Sequence, residues 1–246
     1  MARFTNKSIL ITGGTSGIGL AGAQRIVAEG GTVAVTGANK ERIAAAAAAL
    51  GDKGIAFAND SASPQTGVEL AEHIKDRGKL NGLWLNAAFA DLDSIESLEA
   101  AFFDRMMNTN VRGPMLQLAK LSPLLRDGAS IVVTASTAAY NDNIATATYT
   151  ATKAALIAVT RSWARALAPR GIRVNSLVPG PIESRLRDFL PEADRVAFEK
   201  NTVTSVPLAR VGKADEAAAV ALFLLSDDSS YVTGSQYAVD GGLVMA

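Results

Sequence analysis

Two side chains on one predicted helix raise the chemical question. Tyr149 and Lys153 stand four residues apart in the run YTATK, on one face of a helix read over 149–168. A free tyrosine ionises at about pH 10, and lowering its pKa by about three units takes about 4 kcal/mol of differential stabilisation. A lysine one turn away favours the tyrosinate, and a tyrosine tuned in this way can give or take a proton near neutral pH. Ser136 closes a predicted strand upstream and can donate a hydrogen bond to an oxygen beside the tyrosine. Taken singly, these residues specify no chemistry. Tyr and Lys at this spacing are common on exposed helices, and a Ser ending a strand is usually a turn residue. Asn110, inside a further predicted helix, can simply bond backbone.

The elements that must position these groups alternate. Apolar runs at 8–12, 32–36, 54–58, 80–86, 130–136, 172–179 and near 235–239 read as strands. Most are apolar on both faces, as buried parallel strands are. Helical patterns fill 17–29, 40–50, 64–77, about 97–121, 149–168 and 214–225. Strand–helix alternation implies right-handed βαβ units. The fold class expected is α/β: a single doubly wound, Rossmann-type domain over 1–246, with a parallel sheet of about seven strands between two helix layers. The proline-bracketed segment 183–208 mixes charge with apolar residues and reads as a mobile flap over a substrate.

Composition removes several kinds of chemistry. Acidic and basic residues balance, at 24 each, which argues against a nucleic-acid footprint or a polybasic membrane surface. The chain has no cysteine, so disulfides, thiol nucleophiles and thiolate metal sites are excluded. Its one histidine, His73, reads as a partly exposed helix residue, and no metal site is expected. The start MARFTNKSILIT has no secretory h-region, and no apolar run reaches the roughly 18 residues of a membrane span. A soluble, cytoplasmic chain is expected.

TGGTSGIG, from Thr12 to Gly19, lies between a strand and a helix, where a dinucleotide's phosphates would sit. Gly13, Gly17 and Gly19 permit the tight turn and close backbone approach, with Thr15, Ser16 and Ile18 between them. The loop resembles that of the short-chain dehydrogenase/reductase family, and the resemblance extends over almost the whole chain. Asp60, with Ser61, follows the third strand, like the family's adenine contact. Asn86-Ala87-Ala88 follows the fourth, where the family usually reads N-N-A-G. NTNVRG carries Asn110, similar to the family's catalytic Asn. Pro179-Gly180, Ile182 and Ser184 resemble its nicotinamide segment, and VDGG resembles its C-terminal ending.

This resemblance implies hydride transfer between a nicotinamide dinucleotide and a small ketone, aldehyde or alcohol. Tyr149 would be the general acid/base and Ser136 the carbonyl-oxygen ligand. Lys153 would lower the tyrosine pKa and bind the nicotinamide ribose, and Asn110 would hold a proton-relay water. A homotetramer or homodimer is implied, packing the helices at about 97–121 and 149–168 across a two-fold. Two departures stand out: Leu85 replaces the first Asn of the family motif and Ala88 its Gly. The loss of Asn should remove hydrogen bonds across the central strands.

An acid roughly twenty residues past the loop would accept from the adenine ribose and repel a 2′-phosphate. Here Gly37 and Ala38 leave both usual selector positions empty. Asn39, Lys40 and Arg42 are candidates to meet a phosphate, and NADP(H) is favoured over NAD(H). Phe89, Ala138, Tyr140, Asn143, Ile144, Leu186 and Phe189 are the expected substrate-pocket residues. A non-catalytic dinucleotide-binding regulatory module on the same fold is the alternative, and its mark would be a broken Ser–Tyr–Lys set. A dehydratase or epimerase would usually carry a longer substrate region. A serine hydrolase would need a G-x-S-x-G elbow and a suitable His.

Overall fold

The apolar runs form strands. The computed structural model describes residues 2–140, 144–183 and 192–244. Its strands are β1 (Ser8–Thr12), β2 (Thr32–Gly37), β3 (Gly54–Ala58), β4 (Leu80–Leu85), β5 (Leu125–Thr134), β6 (Arg173–Pro179) and β7 (Gln236–Val239). Its helices are α1 (Gly17–Ala28), α2 (Lys40–Leu50), α3 (Thr66–Ile74), α4 (Ala100–Met107), α5 (Gly113–Leu121), α6 (Ala147–Leu167), α7 (Glu192–Ser205) and α8 (Ala214–Leu225). The strands pair in parallel in the order β3-β2-β1-β4-β5-β6-β7. One face of the sheet is covered by α1, α2 and α8 through Ile26, Leu50 and Leu222. The other is covered by α3, α5 and α6 through Leu70, Leu121 and Leu156. This is the doubly wound α/β sheet expected. Strand order reverses between β1 and β4, and the crevice outside their carboxyl ends is where such sheets bind ligands.

Packing at that crevice is tight. A Cβ on Gly22 would lie 2.3 Å from Cζ3 of Trp84. That indole is fully buried in β4, and its Nε1–H donates to Thr134 Oγ1 at 2.8 Å. Glycine at this turn of α1 therefore brings the glycine loop's helix down onto the sheet.

Two elements differ from the sequence reading. β5 ends at Thr134, so Ser136 lies two residues beyond the strand rather than at its last position. The single helix read over 97–121 is broken by a π turn at Asn108–Arg112, in which the Gly113 N–H reaches back to Asn108 O. Pro114 gives the physical reason. It has no N–H to donate to the Asn110 carbonyl, so a regular α-helical ladder cannot continue there.

The chain around the predicted flap leaves and returns at one place. Ile182 bridges Gly212, the Gly212 N–H donates to Pro181 O at 2.9 Å, and the Glu183 N–H donates to Gly212 O at 2.8 Å. Beyond α7, Val206 is buried, and the Leu208 N–H donates to Gly241 O at 3.1 Å. His73 is exposed on α3, as read, with its ring stacked 4.5 Å from that of Phe57. Among the described residues no helix is long and apolar enough to cross a membrane.

Candidate active site

The glycine turn leaves the start of α1 open to a partner. Gly13 and Gly17 hold φ of +64° and +53°, the left-handed region where glycine is at no disadvantage. A Cβ at Gly13 would lie 2.7 Å from Ala87 Cα, and one at Gly19 would lie 2.6 Å from Gly13 O. The helix that follows has Ser16 at its N-cap with no side-chain cap bond, and its first turn carries no acid. Orphan N–H donors at a positive helix end are what a diphosphate requires, so the residues present fit a dinucleotide. Thr15 is buried, while Ser16 and Ile18 are half-buried at the rim of the turn.

Asn86 ties this turn to the neighbouring strands. Its Nδ2 donates to Gly13 O at 3.1 Å, and its Oδ1 accepts from Thr134 Oγ1 at 3.0 Å. Thr12 Oγ1 accepts the N–H groups of Asn86 and Ala87 at 3.0 and 3.2 Å. The expected loss of cross-strand bonding at Leu85 is thus offset by its neighbour. Leu85 itself is buried core. Ala88 is half-buried beside this bracket.

At the other end of the crevice, the Gly37 carbonyl accepts the Asn59 N–H at 3.1 Å. Ala38, Asn39 and Lys40 are exposed. Asn39 caps α2, its Oδ1 accepting the Arg42 N–H at 2.9 Å. Asp60 folds its own turn by accepting the Ala62 N–H at 2.9 Å. Ser61 is buried and takes a bond from Gln117 Nε2 at 3.2 Å. Arg112 donates to the Ala62 carbonyl, so the π turn and α5 both support this turn from below.

The proposed reacting groups are carried by α6 and by the chain just after β5. Ser136 is half-buried, and its Oγ accepts the Ala138 N–H at 3.1 Å, leaving its own proton available to donate. Tyr149 is 8% exposed. The Lys153 ammonium lies 5.4 Å from the centre of the Tyr149 ring and donates to the Thr134 carbonyl at 3.0 Å. Lys153 is 1% exposed, and its burial pulls the ammonium down from the ordinary 10.5 to about 7. Asn110 is fully buried. Its carboxamide clamps the backbone of Phe89, accepting from N and donating to O, both at 2.8 Å. It also donates to Thr152 Oγ1 at 3.2 Å, and Thr152 in turn donates to Tyr149 O at 2.7 Å. The side chain of Asn110 therefore positions α6 between Tyr149 and Lys153.

Three residues that the sequence did not single out complete this frame. Thr134 serves Trp84 and Asn86 through its hydroxyl and Lys153 through its carbonyl. Thr152 carries the link from Asn110. Asp93, on the loop after β4, accepts the N–H groups of Ala147 and Thr148 at 2.9 and 2.7 Å, capping α6 from a distant segment. No local pattern reveals Asp93, because its partners lie 54 and 55 residues away.

The expected pocket residues are spread more widely. Phe89 is half-buried with the Arg105 guanidinium 3.9 Å over its ring. Ala138 is half-buried beside Ser136, and Ile144 is 88% exposed. Tyr140 is half-exposed, and its hydroxyl donates to Gln236 on the edge strand β7. Pro179 and Ile182 are buried and Gly180 half-buried, where a Cβ on Gly180 would lie 2.6 Å from that of Asp240. Asn143, Ser184, Leu186 and Phe189 lie outside the described residues.

A family model described as enoyl-(acyl carrier protein) reductase matches residues 13–244. An oxidoreductase of Sarocladium schorii is 35% identical, the match covering 98% of this chain and 97% of the relative. A 3-oxoacyl-[acyl-carrier-protein] reductase of Thermotoga maritima is 34% identical over 99% of this chain and 100% of the relative. Among solved structures, a blue fluorescent protein from a metagenomic library, in complex with NADPH, superposes with a TM-score of 0.91. It is 30% identical, with 99% of this chain and 100% of that one covered. With the doubly wound sheet and this crevice, the chain belongs to the short-chain dehydrogenase/reductase family. It is an oxidoreductase that interconverts a carbonyl and an alcohol with a nicotinamide dinucleotide.

The buried lysine makes stability depend on pH. Its folded pKa lies below its unfolded one, so between about pH 7 and 10.5 the unfolded chain binds more protons. The penalty is fully present below pH 7 and fades as pH rises towards 10.5. It amounts to about 5 kcal/mol at pH 6, against about 2–3 kcal/mol for the lost charged bond to Thr134. Lys153→Met is therefore expected to be more stable than wild type at pH 6 in urea unfolding without cofactor. The margin should close as pH approaches 10.5. A difference that does not vary with pH would show that the ammonium is not desolvated.

Proposed function

We propose that Tyr149 is the general acid/base of this oxidoreductase. Ser136 holds the substrate oxygen by its hydroxyl proton, and Lys153 raises the tyrosinate fraction and binds the nicotinamide ribose. The observation that carries the reading is the buried Lys153 ammonium beside the Tyr149 ring, its pKa depressed by desolvation. Its attraction for a tyrosinate acts across a medium of low dielectric. In the reduction direction, a bound reduced nicotinamide would supply hydride to the carbonyl carbon. Tyr149 gives its proton to the oxygen, and the proton path to solvent refills it. Asn110 would hold the water of that path by its main-chain carbonyl. Its carboxamide is already committed to Phe89 and Thr152, and Pro114 has no N–H to occupy the carbonyl. An intact Ser–Tyr–Lys set is what the regulatory-module alternative would lack.

The glycine turn, Asn86-Ala87-Ala88, Asp60-Ser61 and Pro179-Gly180-Ile182 would line the dinucleotide. NADP(H) is favoured over NAD(H). Supporting this are the absence of an acid at positions 37 and 38, the nearby cations of Lys40 and Arg42, and a structural neighbour holding NADPH. Asn39 would contribute only through its free Nδ2, since its Oδ1 caps α2. The segment 183–208 would act as a lid within a single domain of 1–246. Its closed base at Ile182 and Gly212 supports that reading. The substrate is a small ketone, aldehyde or alcohol.

The chain would form a homotetramer or homodimer through α4, α5 and α6. An apolar hollow lined by Met107, Val111, Met115 and Leu116, with Phe103 exposed nearby, supports that face. Light scattering that returns the mass of a single chain would refute the assembly.

Tyr149→Phe is expected to abolish turnover while NADPH still binds, read by nicotinamide fluorescence. Loss of binding together with turnover, or near-normal turnover, would sink the assigned role. Ala38→Arg is expected to raise the preference for NADPH. An unchanged ratio of kcat/KM for NADPH and NADH would reject a phosphate at this position.

A further inference from the structure

The turn after β3 carries Asp60 on its outside and that residue's two neighbours on its inside. Asp60 is exposed, while Asn59 and Ser61 are 6% and 7% exposed. Among the described residues β3 is an edge strand paired with β2 alone, so the sheet holds this turn from one side. Buried side chains pin it as well. Asn59 Oδ1 accepts from Thr66 Oγ1 at 2.8 Å, and Asn59 Nδ2 donates to Thr66 O at 3.2 Å. On α5, Gln117 is fully buried. Its Nε2 donates to Ser61 Oγ at 3.2 Å and to Thr66 Oγ1 at 3.0 Å. A carboxamide nitrogen has two protons, and both are used here. One holds Ser61 directly, and the other holds Asn59 through Thr66. Gln117 Oε1 is buried with no hydrogen-bond partner among the described residues, so the amide acts on this turn as a donor. The backbones are close too: a Cβ on Gly113 would lie 2.3 Å from Ser61 O, and one on Gly67 would lie 2.2 Å from Leu116 O.

We infer that Gln117 is a positioning residue for the adenine end of the dinucleotide. It fixes the two residues that flank Asp60, and so sets where Asp60 faces the crevice. Asp60 Oδ1 is engaged by the Ala62 N–H, which leaves Oδ2 to accept from an adenine amino group. Gln117 itself does not meet the dinucleotide. It acts through Ser61, 56 residues away in sequence, and through Asn59 by way of Thr66. The inference rests on the adenine reading of Asp60 and Ser61 and adds to it the residue that holds them in place.

The test is fluorescence titration with NADPH and with its hypoxanthine analogue, in which an oxo group replaces the adenine amino group. Wild type is expected to bind NADPH more tightly, because the oxo group accepts where the amino group donates. Gln117→Met keeps the length of the side chain and removes its protons. It is expected to weaken NADPH by at least about fivefold, the worth of one ordinary hydrogen bond, and to bring the two dinucleotides closer in affinity. The nicotinamide emission at saturation should keep its wild-type value, since the reacting end is untouched. Ser61→Ala removes the same bond from the side of the turn, so Q117M/S61A is expected to bind NADPH no more weakly than Q117M. The inference falls if Q117M binds NADPH like wild type, or if both dinucleotides weaken by the same factor. It falls equally if the emission at saturation drops, or if the losses of the two single variants add. Should Q117M not fold, S61A alone decides: it must weaken NADPH and narrow the gap to the analogue. A wild type that binds NADPH and the analogue alike would overturn the adenine reading of Asp60, an outcome distinct from an inert Gln117.

Discussion

Among the described residues Lys153 is a fully buried cation whose ammonium donates to a single carbonyl, and a chain of hydrogen bonds holds it there. Lys153 is held in place by the Thr134 carbonyl at the end of β5 and by its place on α6. Thr134 is itself fixed from its other side by Trp84 and Asn86, and Asn86 is fixed by the turn after β1. The ammonium is therefore tied, by three hydrogen-bonded steps, to the loop that would receive the dinucleotide phosphates. Low dielectric depresses the lysine and would strengthen its field at Tyr149. The same desolvation that costs stability is what would give the proposed pair its chemistry.

The fold was largely legible because its signals are local. Five apolar runs with β-branched residues matched strands to within a residue at either end, and the helix boundaries at 40–50 and 214–225 matched as read. What the sequence hid depended on tertiary context. The helix pattern over 97–121 is continuous in hydrophobicity, and only Pro114 hinted that the ladder must open beneath Asn110. β5 begins at Leu125, ahead of the run read as a strand, because Leu125 pairs with Leu80 across a shift of register that no local pattern records.

The site divides in the same way. Tyr149, Lys153 and Ser136 stand out because their residue types carry chemistry and their elements can be read. The residues that aim them do not. Thr152 is an unremarked threonine until Asn110 reaches it. Likewise, Leu85 read as a lost hydrogen bond, yet the sheet keeps its link through Asn86 and Thr12. The carboxamide of Asn110 could be read from sequence either as a helix residue bonding backbone or as part of a proton path. In the structure it does the first, and any part in the second would fall to its carbonyl.

The cap that Asp93 places on α6 has a consequence for how the molecule assembles. The N–H groups of Ala147 and Thr148 are satisfied by a residue distant in sequence. The loop bearing Asp93 is carried by β4, and α6 follows β5, so the two strands must be side by side before the cap can form. The first turn of the helix bearing Tyr149 and Lys153 thus depends on a contact of long sequence separation. A chain in which β4 and β5 have not paired would hold a tyrosine and a lysine on a helix that lacks its Asp93 cap.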